Sequence, residues 1–124
     1  MSSFTQPLTV TKIAGRKWRV ERSFRYCIGK EDSDKYIYIP KGFETDFASI
    51  PRAFWIIFPP DGQYSQAAVV HDYLYSKRGI VKRRVYKRKS CDKIFLEAME
   101  VLKVNKCVRK TIYRAVRMFG WACW

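Results

Sequence analysis

Hydrophobic periodicity changes once along this chain, and that change constrains the fold more than any other feature. Before residue 40, apolar side chains alternate with polar ones, as Trp18, Val20, Phe24 and Tyr26 do. Beyond residue 62, apolar side chains recur every three or four residues. The first pattern is typical of strands with one buried face, and the second of amphipathic helices. The sequence therefore predicts an α+β fold, with a small antiparallel β-sheet packed on a three-helix bundle.

The β-rich part is predicted to form a hairpin or meander. The predicted strands cover residues 7–14, 17–28 and 35–39, with a polar turn over residues 29–34. Arg22 interrupts the alternation of the second strand, which indicates a bulge or an edge. Pro40 ends the third strand because proline has no N–H to donate.

Three helices are predicted after an irregular segment over residues 41–62. They run over residues 63–77, from after Ser90 as a candidate cap to about residue 103, and over residues 106–119 before Gly120. The predicted buried stripes are Tyr64, Ala67, Ala68, His71, Leu74 and Tyr75, then Ile94 or Phe95, Ala98, Met99 and Leu102, then Val108, Ile112, Ala115, Val116 and Phe119. With 124 residues, the chain is predicted to be one domain, divided into residues 1–40, 41–62 and 63–120.

Composition excludes several classes of protein. A hydrophobic fraction of 48% with 16% aromatic residues excludes a disordered chain. No run approaches about 18 apolar residues, so no membrane-spanning helix is expected. No secretion signal is visible, and the four cysteines, Cys27, Cys91, Cys107 and Cys123, form no C-x-x-C pair. We therefore expect a cytoplasmic protein with reduced, mostly buried thiols and no zinc site.

Positive charge is the second strong signal. Lys and Arg number 25 against 11 Asp and Glu, giving a net charge of +14. This predicts an anionic partner: nucleic acid, lipid head groups or an acidic protein surface. Residues 77–89, the basic connector, hold eight basic residues and no acid, although a solvated loop is the alternative interpretation. The candidate anion-binding residues are Lys82, Arg83, Arg84, Lys87, Arg88 and Lys89.

The chain has one histidine, His71, which lies on the apolar stripe of the first predicted helix. Asp92 is expected in the first turn of the next helix, and antiparallel packing would bring it to His71. A carboxylate on one ring nitrogen orients the imidazole as a general base requires. Alternatively, His71 is a hydrogen-bonded core residue, Asp72 is solvated and Asp92 complements a helix dipole.

A second candidate site is the segment around Asp46. Asp46, Thr45, Ser49 and nearby carbonyls could hold a hard cation, and Asp72 is the alternative metal ligand. The alternative is a turn held by side-chain bonds to the backbone, in which Asp46 and Arg52 join the loop to the helices. Calcium or another divalent metal is the candidate cofactor of these residues.

Four ordered motifs resemble an uncharacterised protein family of tailed bacteriophages and prophages. They are G-F-E-T-D-F-A-S-I-P-R (42–52), H-D-Y-L-Y (71–75), C-D-K-I-F-L-E-A-M (91–99) and I-Y-R-A-V-R-M-F-G (112–120). The resemblance covers residues 36–120. It implies a phage-encoded protein acting in the host cytoplasm or in the virion, with other virion proteins among its partners.

The His-Asp-x-x-Tyr and Asp-x-x-Phe motifs are also similar to the helix pair of phospholipase A2. That likeness implies that His71 is the general base, Asp92 its orienting carboxylate and Asp72 a calcium ligand, with Tyr75 one turn later. The glycine-rich calcium loop and the disulfides of that family are missing here. Two hypotheses remain: a non-catalytic phage binding protein with a structural His/Asp network, which we favour, or a metal-dependent hydrolase acting on phospholipid or cell wall.

Overall fold

The computed structural model describes residues 3–14, 17–29, 35–45, 64–81, 84–119 and 124. Their strands are β1 (Ser3–Phe4), β2 (Val10–Ala14), β3 (Lys17–Val20), β4 (Phe24–Cys27), β5 (Tyr36–Ile39), β6 (Glu44–Thr45), β7 (Ile80–Val81) and β8 (Arg84–Val85). Their helices are α1 (Ser65–Ser76), α2 (Arg88–Val101) and α3 (Lys106–Phe119). The predicted α+β class is confirmed. The chain divides into two compact units, Met1–Asp46 and Phe47–Trp124, while its forming one domain stays a prediction.

The first unit contains two antiparallel sheets, with strand orders β1-β4-β5 and β2-β3-β6. In the first sheet, Phe24 pairs with Ile39 and Tyr26 with Ile37, and all four side chains are buried. The Phe4 ring lies 4.8 Å from the Tyr26 ring. Fully burying such a side chain contributes about 1.5–3 kcal/mol, so these pairs form the core of this sheet.

One predicted strand of the first unit is wrong in its extent. Residues 17–28 form two strands, β3 and β4, which belong to different sheets. The break falls between them, beside Arg22, where the backbone N–H of Glu21 donates to the carbonyl of Thr9. Because Val20 and Phe24 keep the same parity, the alternating pattern continued across the break and concealed it. The predicted strand over residues 7–14 begins at Val10, and the short β1 was not predicted.

The helices of the second unit match the predicted periodicity closely. The predicted stripe of α1 is buried throughout, from Tyr64 to Tyr75. Ser90 does not cap α2: it lies inside the helix, and Lys87 occupies the cap position without a side-chain hydrogen bond. Phe119, expected to be buried on α3, is 52% exposed.

Backbone capping sets the ends of these helices. Gly79 N–H donates to Leu74 and Arg78 N–H to Tyr75, a Schellman arrangement with Arg78 at φ 51°. The same arrangement ends α2 around Lys103, which has a φ of 61°. Two residues later, Asn105 caps the start of α3. Asn105 Oδ1 accepts from the N–H of Cys107 at 2.8 Å. These caps explain why α2 ends at Val101 instead of near residue 103.

The basic connector contains a feature that sequence reasoning missed, a hairpin of β7 and β8 in which Ile80 pairs with Val85. It depends on Gly79, whose φ is +78° and whose added Cβ would collide with the carbonyl of Tyr86. The Trp124 ring packs edge-on against the Tyr75 ring, with 5.2 Å between the ring centroids.

Two further expectations concern cysteines and membrane spans. Cys27 and Cys91 are buried free thiols as expected, whereas Cys107 is an exposed free thiol. Across the described ranges, no helix is both long and apolar enough to cross a membrane.

Candidate functional site

The site is built around a buried hydrogen bond between His71 on α1 and Asp92 on α2. His71 Nε2 lies 2.7 Å from Asp92 Oδ1, and neither side chain has any solvent exposure. Because an ionised carboxylate only accepts hydrogen bonds, Nε2 carries the proton and donates it. The predicted hydrogen bond between these residues is confirmed. Asp92 lies one turn further into α2 than expected, since the helix begins at Arg88, so it is not a first-turn dipole partner.

Aromatic rings surround this bond. Tyr75 lies one helical turn after His71, and its hydroxyl donates to the same Asp92 Oδ1 at 2.5 Å. The ring of Phe95 stacks on the imidazole at 4.5 Å and 26°, and the Tyr75 ring lies 4.2 Å from it. Burial and the bond to Asp92 raise the pKa of the Tyr75 hydroxyl, so this group stays a hydrogen-bond donor. The imidazole is therefore enclosed by ring faces.

Two arginines complete the cluster on the other carboxylate oxygen. Arg117, in the last turn of α3, donates from Nη1 to Asp92 Oδ2 at 2.7 Å. Arg88 Nη1 lies 3.6 Å from the same oxygen, and its guanidinium donates to the carbonyls of Val116 and Arg117. Sequence reasoning missed the role of Arg117, although the motif over residues 112–120 contains it. Asp92 therefore joins all three helices.

The electrostatics of Asp92 favour its charged form. Burial raises the pKa of this carboxyl, but the hydrogen bonds from His71, Tyr75 and Arg117 oppose that effect and hold the pKa below its ordinary value. The negative charge is balanced by the guanidinium of Arg117, with Arg88 close by. A buried carboxylate that has these partners is a stable part of the structure.

The second predicted site is only partly described. Thr45 is buried in β6, where it pairs with Trp18 of β3. Asp46, Ser49 and Arg52 lie outside the described residues, so a metal held by Asp46 or by Asp72 remains a prediction. Asp72 is half-buried on α1. Within the described ranges, no three His, Cys, Asp or Glu side chains form a metal-binding group.

The predicted anion-binding residues have different surroundings. Arg84, Lys87 and Lys89 are exposed, as expected for the basic connector, while Lys82 and Arg83 lie outside the described residues. Arg88 is part-buried, and its guanidinium contacts Asp92 and the carbonyl of Val116 within the second unit, which we call the helical unit. We therefore assign Arg88 to the buried cluster around Asp92 and do not count it among the exposed basic residues.

Fold and site together define a class: a small, basic α+β protein whose three helices are joined by a buried His-Asp-Arg cluster. The chain belongs to the family described as "Protein of unknown function (DUF1353)", which matches residues 18–116. It is also 31% identical over 84 residues to "Uncharacterized protein y4jT" of Sinorhizobium fredii (strain NBRC 101917 / NGR234), covering 66% of this chain. The chain spans about a quarter of that relative's length, the matched share being 23%. No solved structure matches the chain.

Proposed function

We propose that this chain is a non-catalytic binding protein for an anionic partner, in which the His71–Asp92 pair is a structural network. The observation that carries the proposal is the complete burial of both side chains together with the occupation of both Asp92 oxygens. A general base must reach the proton that it removes. His71 instead lies beneath Phe95 and Tyr75.

The excess of positive charge supplies the binding role. No acidic residue occurs between Tyr73 and Cys91, and none follows Glu100. Among the exposed basic residues of the described chain, Arg84, Lys87 and Lys89 make no ion pair with a described carboxylate. Such a surface repels itself unless salt or a polyanion screens it.

The biological setting belongs to the same proposal. The four ordered motifs resemble a family of tailed phages and prophages, and they support a phage-encoded protein. We place it in the host cytoplasm, as an early host-interaction factor or as a small virion component contacting other virion proteins. A basic binding protein suits either role without catalysis.

A metal-dependent hydrolase is the second candidate, and one specific observation favours it. His71 and Asp92 form the hydrogen bond that the phospholipase A2 resemblance implies, and Tyr75, one turn after His71, donates to the same carboxylate oxygen. In that function His71 would take a proton from water, and Asp92 would orient the imidazole. Asp72 would be a ligand of a calcium ion that would polarise the ester. The burial of His71 and the charge of Arg117 on Asp92 oppose this candidate.

Binding and hydrolysis can be measured on the same samples. We expect the parent chain to bind heparin with an affinity that falls steeply as salt rises. The triple variant Arg84→Gln, Lys87→Gln, Lys89→Gln should bind about tenfold more weakly. The matched control removes three exposed charges of the first unit, by Lys12→Gln, Lys17→Gln and Lys41→Gln, and should change the affinity less than about twofold.

Equal losses in the two variants would show a nonspecific charge effect and would contradict the proposed surface. For the hydrolase, the parent and His71→Gln are incubated with phospholipid vesicles in calcium or in chelator. We expect no fatty acid release above the blank in any sample. Calcium-dependent release by the parent that is lost in a folded His71→Gln variant would replace our proposal with the second candidate.

A further inference from the structure

Four large apolar side chains of the helical unit are exposed to solvent. Ile80 and Val85 on the hairpin are 59% and 75% exposed, and Met118 and Phe119 at the end of α3 are 65% and 52% exposed. Single exposed apolar residues are ordinary, but grouped ones mark interaction sites. The question is therefore whether these four residues lie together.

The fold brings the two pairs to one end of the helical unit. Ile80 and Val85 are opposite each other in the hairpin. Three residues after Val85, Arg88 donates to the carbonyls of Val116 and Arg117, and Met118 follows directly. We call the four residues and their basic neighbours the apolar-basic end; it comprises Lys77, Arg78, Ile80, Arg84, Val85, Lys87, Lys89, Arg114, Met118 and Phe119.

Positive charge surrounds the apolar side chains. All six basic residues of the apolar-basic end are exposed, and Arg114 lies one helical turn before Met118. The only acidic residue from residue 77 to residue 96 is Asp92, which is buried and paired with Arg117. The apolar-basic end therefore offers exposed apolar groups with cations around them and no exposed carboxylate from that stretch of sequence.

We infer that the apolar-basic end docks on the surface of an anionic lipid bilayer. This inference rests on the proposed function, and it names the partner. Basic side chains bind the lipid head groups electrostatically, while Val85, Met118 and Phe119 enter the boundary between head groups and acyl chains. Lysine and arginine stems cover apolar surface as their charged ends reach the phosphates.

The composition of this surface favours lipid over the other anionic partners. Proteins bind nucleic acid through basic contacts to the phosphates and through aromatic rings that stack on the bases. Three of the four exposed apolar side chains here are aliphatic or thioether groups, which have no ring to stack. A second copy of this chain would bring two strongly positive faces together, because each chain carries a net charge of +14. An anionic bilayer satisfies the charged and the apolar groups at once.

The test is co-sedimentation of the full chain with vesicles of phosphatidylcholine and phosphatidylglycerol, and with vesicles of phosphatidylcholine alone. We expect binding to the anionic vesicles that is at least about tenfold tighter than to the neutral ones. The variant Val85→Thr, Met118→Gln, Phe119→Gln should lose more than about tenfold in vesicle affinity. It should keep the parent's heparin affinity and thermal melt, since its basic residues are unchanged.

The matched control is Ile13→Thr with Tyr38→Gln, which alters the exposed large apolar residues of the first unit and should bind vesicles like the parent. Vesicle binding by the apolar variant equal to the parent's would overturn the inference. So would tighter binding to duplex DNA than to anionic vesicles at matched salt, or a dimer that the apolar variant abolishes. A parent that binds heparin, DNA and vesicles equally poorly would instead remove the proposed function itself.

Discussion

Arg117 donates to Asp92 Oδ2 at 2.7 Å, and this bond connects the last turn of α3 to the first half of α2. The arginine side chain is 30% exposed while the carboxylate is fully buried. A charge at the edge of the helical unit thereby neutralises one in its interior. The stability of the helices should depend on this pair more than on any exposed ion pair.

Replacing Asp92 with Asn should destabilise the protein by about 1–3 kcal/mol, because the amide NH₂ cannot accept a hydrogen bond and leaves a buried donor of this cluster unpaired. The measurement is urea unfolding at pH 7, followed by far-UV circular dichroism. The control, Glu100→Gln on the exposed face of α2, should change the free energy of unfolding by less than about 0.5 kcal/mol. Similar losses in the two variants would show that Asp92 contributes no more than a surface carboxylate.

The same carboxylate should make stability fall in acid. Hydrogen bonds hold the pKa of Asp92 below its ordinary value in the folded protein, so the unfolded chain binds this proton more readily. The stabilisation by ionised Asp92 is complete when the pH is above the ordinary pKa of an aspartate. It is lost as the pH falls through the lowered pKa of the folded protein. The difference in unfolding free energy between the parent and Asp92→Asn should therefore shrink between pH 5 and pH 2, and a constant difference would contradict it.

Arg117 should be distinguishable from its neighbour on the same helix. Arg117→Met should cost about 1–3 kcal/mol by leaving Asp92 Oδ2 without its closest donor. Arg114→Met, which removes an exposed arginine one turn earlier, should change stability by less than about 0.5 kcal/mol. In a double-mutant cycle with Asp92→Asn, the loss from Arg117→Met should largely disappear. Simple additivity would exclude coupling between the two residues.

Gly79 should tolerate no side chain. Gly79→Ala places a Cβ against the carbonyl of Tyr86 at φ +78°, and we expect a loss of more than about 2 kcal/mol. Gly29 has a similar φ of +92° but nothing within 4 Å of an added Cβ. Gly29→Ala therefore measures the backbone strain alone, about 1–2 kcal/mol. Thermal melts should show a larger loss of stability in Gly79→Ala than in Gly29→Ala. A larger loss in Gly29→Ala would exclude the close approach of the Tyr86 carbonyl to Gly79.

The thiols should differ sharply in reactivity. Burial and the nearby charge of Asp92 raise the pKa of Cys91 to about 12, so almost no thiolate exists at pH 8. Cys107 is exposed. Iodoacetamide at pH 8 should alkylate Cys107 within minutes and leave Cys91 unmodified until the protein unfolds, as peptide mass mapping would show. Labelling of both at one rate in the folded protein would contradict the burial of Cys91.

Periodicity predicted the helices and placed His71 on a buried stripe. The bond to Asp92 was predicted only by adding an assumption, that α1 and α2 pack antiparallel. Periodicity could not predict where the chain passes from one sheet to the other, since Val20 and Phe24 keep their parity across that break. It also missed Arg117, which reaches Asp92 across 25 residues of sequence. Such a contact depends on how α3 packs, and no local pattern encodes it. The αL residues Arg78 and Lys103 were missed because glycine is the usual signal for that conformation.

The three helices share one polar anchor, and this has a consequence for how the helical unit opens. Asp92 is held by residues of α1 and of α3. Lifting either of those helices away would leave a buried charge without its compensating groups, which costs several kcal/mol. We therefore expect local excursions that free one helix to be rare, and amide hydrogen exchange in the unit to follow concerted opening of all three helices. A single carboxylate should thus make the opening of the three helices cooperative.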